Sequence, residues 1–75
     1  MVFYSVYIET YKCVDSYYRN KENARDSLWE LFLLESRGVY NQKQLDCYRN
    51  FLDTCDYIPG FGCVNEESFG DEEDE

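Results

Sequence analysis

The side chains of this 75-residue chain that could do chemistry are four cysteines and a few carboxylate pairs. No two cysteines are separated by the two to four residues typical of a zinc site. The chain also has no histidine, and therefore lacks the commonest general base and transition-metal ligand. We expect no metal and no other cofactor, and we interpret the cysteines as buried thiols of a reducing compartment, at Cys13, Cys47, Cys55 and Cys63.

Two carboxylate pairs have helical spacing, Asp26 with Glu30 and Asp53 with Asp56. A domain this small can scarcely remove two carboxylates from water and so shift their pKa values. The glycines of residues 60–62 follow a proline and open no helix, so they indicate a turn rather than a phosphate-binding loop. These features favour a protein that is not an enzyme.

The negative charge is concentrated towards the C-terminus. The chain has 16 acidic and 7 basic residues, and seven of the acids fall in residues 66–75. The net charge of residues 1–65 is therefore only −2. We predict one compact domain over residues 1–65 and a disordered acidic tail over residues 66–75, because Phe69 alone cannot offset an ordering cost of roughly 15 kcal/mol.

The chemistry-bearing residues must be positioned by a few secondary-structure elements. Residues 2–8 are β-branched and aromatic, which predicts a strand whose core-facing side chains are Val2, Tyr4, Val6 and Ile8. Residues 13–18 predict a second strand, although residues 9–12 lack the glycine, proline or asparagine of a tight turn. Residues 61–64 predict a short final strand that pairs with the first.

Two helices are predicted between these strands, over about residues 20–36 and 41–56. Asn20 and Asn41 are suitable N-caps, and Gln44 completes a capping box with Asn41. Gly38 is suited to a left-handed end of the first helix. The fold class predicted is α+β, in the order β(β)ααβ: a small antiparallel β-sheet of 2–3 strands with an antiparallel helical hairpin packed on one face.

Eight tyrosines are too many for so small a domain to bury with their hydroxyl groups satisfied. Tyrosine provides a large contact area at low entropic cost and is enriched in binding surfaces. We predict a partner-binding patch on the sheet face away from the helices, formed by Phe3, Tyr7, Tyr11 and Tyr17. The acids Asp71, Glu72, Glu73 and Asp74 either contribute to binding of the partner or only increase the solubility of the protein. A homodimer through the same face would explain the tyrosines equally well.

Basic and aromatic side chains are interleaved before and within the first predicted helix, which suggests capture of a small nucleotide by Tyr18, Arg19, Lys21 and Arg25. The net charge of −9 opposes direct binding of nucleic acid. No apolar run approaches 18 residues and the N-terminus has no basic signal-peptide region. We therefore expect no membrane contact and a cytoplasmic location in a host cell.

In its size, acidity, tyrosine content and five consecutive acids at residues 71–75, the chain resembles the small acidic proteins that bacteriophages make against host enzymes and defence systems. That class includes anti-CRISPR and anti-restriction proteins. The resemblance implies a non-enzymatic phage inhibitor that binds a larger host or defence-system protein by direct surface contact. Residues 1–65 depart from its DNA-mimicking members by their small net charge. The alternative function is sequestration of a small molecule such as a nucleotide.

Overall fold

The structure, a computed structural model, describes residues 2–68. Its four strands form one antiparallel sheet in the order β2-β1-β4-β3. The elements in chain order are β1 (Val2–Ile8), β2 (Cys13–Tyr18), α1 (Lys21–Glu35), α2 (Gln42–Cys55), β3 (Tyr57–Ile58) and β4 (Gly62–Ser68). The α+β class is confirmed, but the sheet has four strands rather than two or three, and the order is ββααββ.

Two differences at the C-terminal end correct the predicted order and domain boundary. The two-residue strand β3 was missed because so short a segment carries no alternation. Strand β4 continues to Ser68, so residues 66–68, predicted to begin a disordered tail, are paired with β1. The physical reason is that β1 offers a ladder of backbone hydrogen-bond partners along its full length. The remaining predicted tail, residues 69–75, lies outside the described residues.

Local capping chemistry sets the start of both helices, as the sequence predicts. The Asn20 side chain accepts hydrogen bonds from the backbone N–H groups of Glu22 and Asn23. Asn41 and Gln44 form the reciprocal capping box at the start of α2. Asp56 ends α2 in the left-handed conformation, with φ of 57°.

The turn between β1 and β2 is closed without a typical turn residue. Lys12 adopts the left-handed conformation with φ of 55°, and its N–H donates to the Glu9 carbonyl at 3.2 Å. The register then shifts between Val6 and Tyr7, where β2 contains a bulge at Asp15. The hairpin is therefore formed despite its poor turn sequence.

Both helices pack on one face of the sheet and enclose the core there. Val6 and Ile8 of β1 are buried together with side chains from every other element except β2, namely Ala24, Leu28, Phe32, Leu52, Ile58, Phe61 and Val64. Phe32 is central, since the rings of Trp29, Tyr40, Tyr48 and Phe61 lie 5.2–5.6 Å from it. The predicted core face of β1 is confirmed for Val6 and Ile8, which are buried, and for Tyr4, which packs against the core, but the prediction for Val2 is wrong because Val2 is exposed at the start of the strand.

The pairing of β1 with β4 depends on one glycine. Gly62 lies opposite Ile8, and a Cβ at Gly62 would overlap the carbonyl oxygen of Tyr7. The same Cβ would lie 3.2 Å from the Leu28 Cδ1. Only glycine lets the two backbones approach this closely under α1.

Candidate functional site

The sheet face opposite the helices presents a continuous set of side chains. Cross-strand partners point to the same face, so the strand register groups these side chains into rows. The first row crosses all four strands and consists of Val14, Tyr7, Cys63 and Tyr57. The second row crosses three strands and consists of Tyr17, Ser5 and Asn65. The third row consists of Phe3 and Glu67. We call these nine residues the outer face. Within residues 2–68, no element of the fold covers it.

The first row is the apolar part of the outer face. At a strand spacing of about 4.8 Å it spans roughly 14 Å. Tyr57 at one end is 40% exposed and Val14 at the other is 39% exposed. In the next row Tyr17 is 57% exposed. Aromatic area is thus open to solvent across the width of the sheet, where it can contact another molecule.

The other end of the outer face is polar. Ser5 is fully buried beneath its larger neighbours, and its hydroxyl donates to the Glu67 carboxylate at 3.0 Å. The Arg19 guanidinium lies 5.3 Å from the centroid of the Phe3 ring, within the range of a cation–π contact. The outer face therefore changes from an aromatic row near the turns to a charged row near the start of β1.

Three of the four predicted patch residues lie on the outer face: Phe3, Tyr7 and Tyr17. Tyr11 does not, which corrects its predicted placement. It lies in the turn before β2, and its hydroxyl donates to the Glu35 carboxylate of α1 at 2.8 Å. This hydrogen bond, with the negative charge of Glu35, raises the pKa of the Tyr11 phenol.

The predicted patch omitted the other six members of the outer face, among them Tyr57 and Val14. Tyr57 is placed by β3, and the proline-glycine turn at residues 59–60 was the signal that two strands could meet there. Val14 faces the same way as Tyr17 because of the bulge at Asp15, which breaks the simple alternation. No local pattern in the sequence locates that bulge.

The predicted nucleotide-binding cluster is not brought together. Arg19 reaches towards Phe3 on the outer face, whereas the Tyr18 hydroxyl donates to the Ser27 hydroxyl at 2.8 Å. Lys21 and Arg25 both bind the Asp56 carboxylate, at 3.2 and 2.7 Å. The four side chains are therefore divided among three partners, Phe3, Ser27 and Asp56, and they do not form one site for an external anion.

The ion pairs at Asp56 change its acidity. Partial burial alone would raise the pKa of this carboxyl, but hydrogen bonds and charge attraction from Arg25 and Lys21 outweigh it and lower the pKa. The side chains of Arg25 and Asp56 are only 22% and 25% exposed. This group connects the start of α1 to the end of α2 and is explained by the fold.

The prediction that the cysteines are buried is wrong. Cys13, Cys47 and Cys55 are exposed and Cys63 is half-buried, all as free thiols. In α2 only Leu52 is buried; Cys47 lies away from it around the helix, and Cys55 is the last residue of the helix, where it is exposed. Burial raises the pKa of Cys63, which keeps this thiol protonated. Among residues 2–68, no three potential ligands from His, Cys, Asp and Glu are grouped to hold a metal ion.

A second apolar feature lies against α2. Gln44, Cys47, Tyr48 and Phe51 form a shallow groove with Pro59, of about 410 Å³. Phe51 is 46% exposed there. The groove has no charged side chain in its lining.

The predicted binding acids Asp71, Glu72, Glu73 and Asp74 lie outside the described residues. No helix within residues 2–68 combines the length and apolar character that crossing a membrane requires. No protein-family model matches the chain, and comparison with curated proteins and with solved structures found no significant similarity.

Proposed function

We propose that this chain is a non-enzymatic binding protein that occupies the surface of a larger protein through its outer face. The observation that supports this most strongly is the row Val14, Tyr7, Cys63 and Tyr57, which continues across four strands on an uncovered face. Burial of aromatic area of this kind provides most of the energy at protein interfaces. The proposed binding surface is the outer face with Arg19 at its polar end.

The charge of the chain favours a basic partner surface. Glu67 lies on the outer face, Glu66 precedes it in β4, and five acids follow at residues 71–75. Negative charge of this amount attracts a positively charged protein and increases its association rate. Basic surfaces are typical of proteins that handle nucleic acid. We propose that the chain inhibits such a protein, for example a component of a host defence system, as the phage inhibitors that it resembles do.

The aromatic contribution is tested by pairwise substitution on the outer face. The double variant Tyr17→Ala/Tyr57→Ala should bind its partner at least about 30-fold more weakly than wild type, since buried aromatic anchors each contribute about 2 kcal/mol or more. The matched control is Leu34→Ala, because Leu34 is 65% exposed on α1. Retention of the partner by quantitative pull-down should fall for the double variant alone. Equal retention by all three proteins would contradict the proposal.

The acidic contribution is tested by deleting residues 71–75. If these acids attract the partner, the association rate at low salt should fall about tenfold while the dissociation rate stays unchanged. Surface plasmon resonance at two salt concentrations separates the two rates. An unchanged association rate would leave these acids with a solubilising role only and would remove the basic partner from the proposal.

A further inference from the structure

The edge of β4 beyond its short partner β3 is open. Strand β3 pairs only with Gly62 and Cys63, whereas β1 pairs with all seven residues of β4. Among residues 2–68, no strand pairs with the far side of residues 65–68. These four residues are extended, in regular register with β1, and only Glu67 among them is half-buried.

The hydrogen-bonding groups at this edge can be assigned to individual residues. The Val64 N–H donates to the Asp56 carbonyl at 2.8 Å, so Val64 points its backbone groups away from β1. The pairing of β1 with β4 contains no bulge, and backbone groups alternate along an antiparallel strand. Glu66 and Ser68 therefore present their N–H and C=O groups to the open edge, while Asn65 and Glu67 bond to β1.

The opposite edge of the sheet is less suitable for strand addition. Strand β2 contains the bulge at Asp15, and Lys12 and Arg19 flank it. A bulge and flanking cations are devices that block pairing with another chain. The β4 edge carries neither, and it has no proline.

Charge identifies the kind of chain that fits the β4 edge. Glu66 and Glu67 lie in the open segment, and five acids follow at residues 71–75. Lys21 and Arg25 both pair with the Asp56 carboxylate, which partly neutralises their charge. The charge at the β4 edge is therefore negative. A second copy of this chain would place acids against acids in an antiparallel pair, which is unfavourable. An extended basic segment would place lysine or arginine beside them instead.

We propose that the β4 edge at residues 65–68 binds an extended, lysine- or arginine-rich segment of another protein as an added β-strand. Glu66 and Ser68 form the backbone hydrogen bonds, and the carboxylates select for positive side chains. Asn65 and Glu67 also belong to the outer face, but the outward backbone groups of Glu66 and Ser68 lie at the edge of the sheet, and the proposal extends beyond the proposed function.

The probe is an octapeptide of alternating lysine and valine. Its control is a Lys-Pro repeat of equal length and charge, which lacks half of the backbone donors. Hydrogen exchange followed by NMR should show the N–H groups of Glu66 and Ser68 protected at least about tenfold when the Lys-Val peptide is added. The Lys-Pro peptide should give no protection. Binding of both peptides with equal affinity would show attraction by charge alone and overturn the proposal.

Two substitutions at one position separate the backbone from the charge. Glu66→Pro removes the outward N–H but leaves the bonds to β1, so it should weaken binding of the Lys-Val peptide at least about tenfold. Glu66→Gln keeps the N–H and should weaken binding only about two- to fivefold. If Glu66→Pro binds as tightly as Glu66→Gln, the added strand is excluded. Should Glu66→Pro fail to fold, the exchange measurement on wild type decides the question.

The outer-face variant keeps this proposal separate from the proposed function. Tyr17→Ala should bind the Lys-Val peptide with unchanged affinity, because Tyr17 lies in β2 at the opposite edge of the sheet. Loss of peptide binding in this variant would place the peptide on the outer face and overturn strand addition at β4.

Discussion

The two faces of the same sheet differ in how their large side chains are used. On the helix side, Val6 and Ile8 are buried against Leu28 and Leu52, and the rings around Phe32 contact one another. On the outer face, Tyr17 and Tyr57 are exposed although they belong to the same sheet. The alternation of a β-strand divides one run of sequence between these two environments.

This difference separates residues that stabilise the fold from residues available for binding. A domain of this size has an unfolding free energy of only about 4–11 kcal/mol, at roughly 0.05–0.15 kcal/mol per residue. Its core face must therefore be well packed, and exposed aromatic area does little to stabilise it. We therefore propose that the tyrosines on the outer face serve contact with another molecule.

The largest expected effect distinguishes the two faces by stability. Leu28 is completely buried, so Leu28→Ala should lower the unfolding free energy by about 2–5 kcal/mol, through lost burial and the cavity that remains. Tyr17→Ala on the outer face should change it by about 0.5 kcal/mol or less. Urea unfolding measures both. A loss above about 2 kcal/mol for Tyr17→Ala would show that the outer face stabilises the fold.

Gly62 offers a smaller effect at the point where β4 lies closest to β1. Gly62→Ala should lower the unfolding free energy by about 1–3 kcal/mol, because the new methyl group must displace the Tyr7 carbonyl or Leu28. The control on the same strand is Asn65→Ala. Because the Asn65 side chain is exposed, this substitution should change the unfolding free energy by about 0.5 kcal/mol or less. Equal stability of Gly62→Ala and wild type would contradict the close approach.

The ion pairs at Asp56 predict a pH dependence that the outer face does not share. The folded pKa of Asp56 lies below its ordinary value of 3.8, so the charged form stabilises the fold above that pH. This contribution is lost as the pH falls through the lowered folded pKa. Asp56→Asn, which keeps a residue tolerant of the left-handed conformation, should cost about 1–2 kcal/mol at neutral pH. Unfolding at pH 7 and at a series of lower pH values should show that this cost diminishes as the pH falls through the lowered folded pKa.

A cost for Asp56→Asn that persists unchanged in acid would assign the effect to helix capping rather than to charge. Tyr17→Ala provides the reference for this measurement, because its small effect on stability should not depend on the protonation of Asp56.

The predictable parts of the fold were those determined by neighbouring residues. The caps at Asn20 and Asn41 and the core-facing Val6 and Ile8 follow from short spacings in the sequence. The unpredicted strand β3 has two residues and forms only because β4 is beside it. Residues 66–68 were predicted to be disordered from composition, whereas pairing with β1 makes them a strand.

The candidate site was predictable to a similar extent. Alternation placed Phe3 and Tyr7 together, since both positions lie on one face of β1, and Tyr17 joins them through the pairing of β2 with β1. Tyr11 was misplaced because the turn directs it to Glu35, 24 residues away in the sequence. The prediction of a basic nucleotide-binding cluster was wrong for the same kind of reason. Arg25 donates to Asp56, which is 31 residues away in the sequence, and no local pattern reveals this contact.

The most direct test of the outer face as a binding surface is site-specific photo-cross-linking. A photoreactive phenylalanine analogue replaces Tyr17 in one protein and Leu34 in another, since both positions are exposed and they lie on opposite sides of the molecule. Cross-linking in host cells should give one dominant protein adduct from position 17 and none from position 34. Adducts from position 34 alone, or from both positions equally, would contradict binding through the outer face.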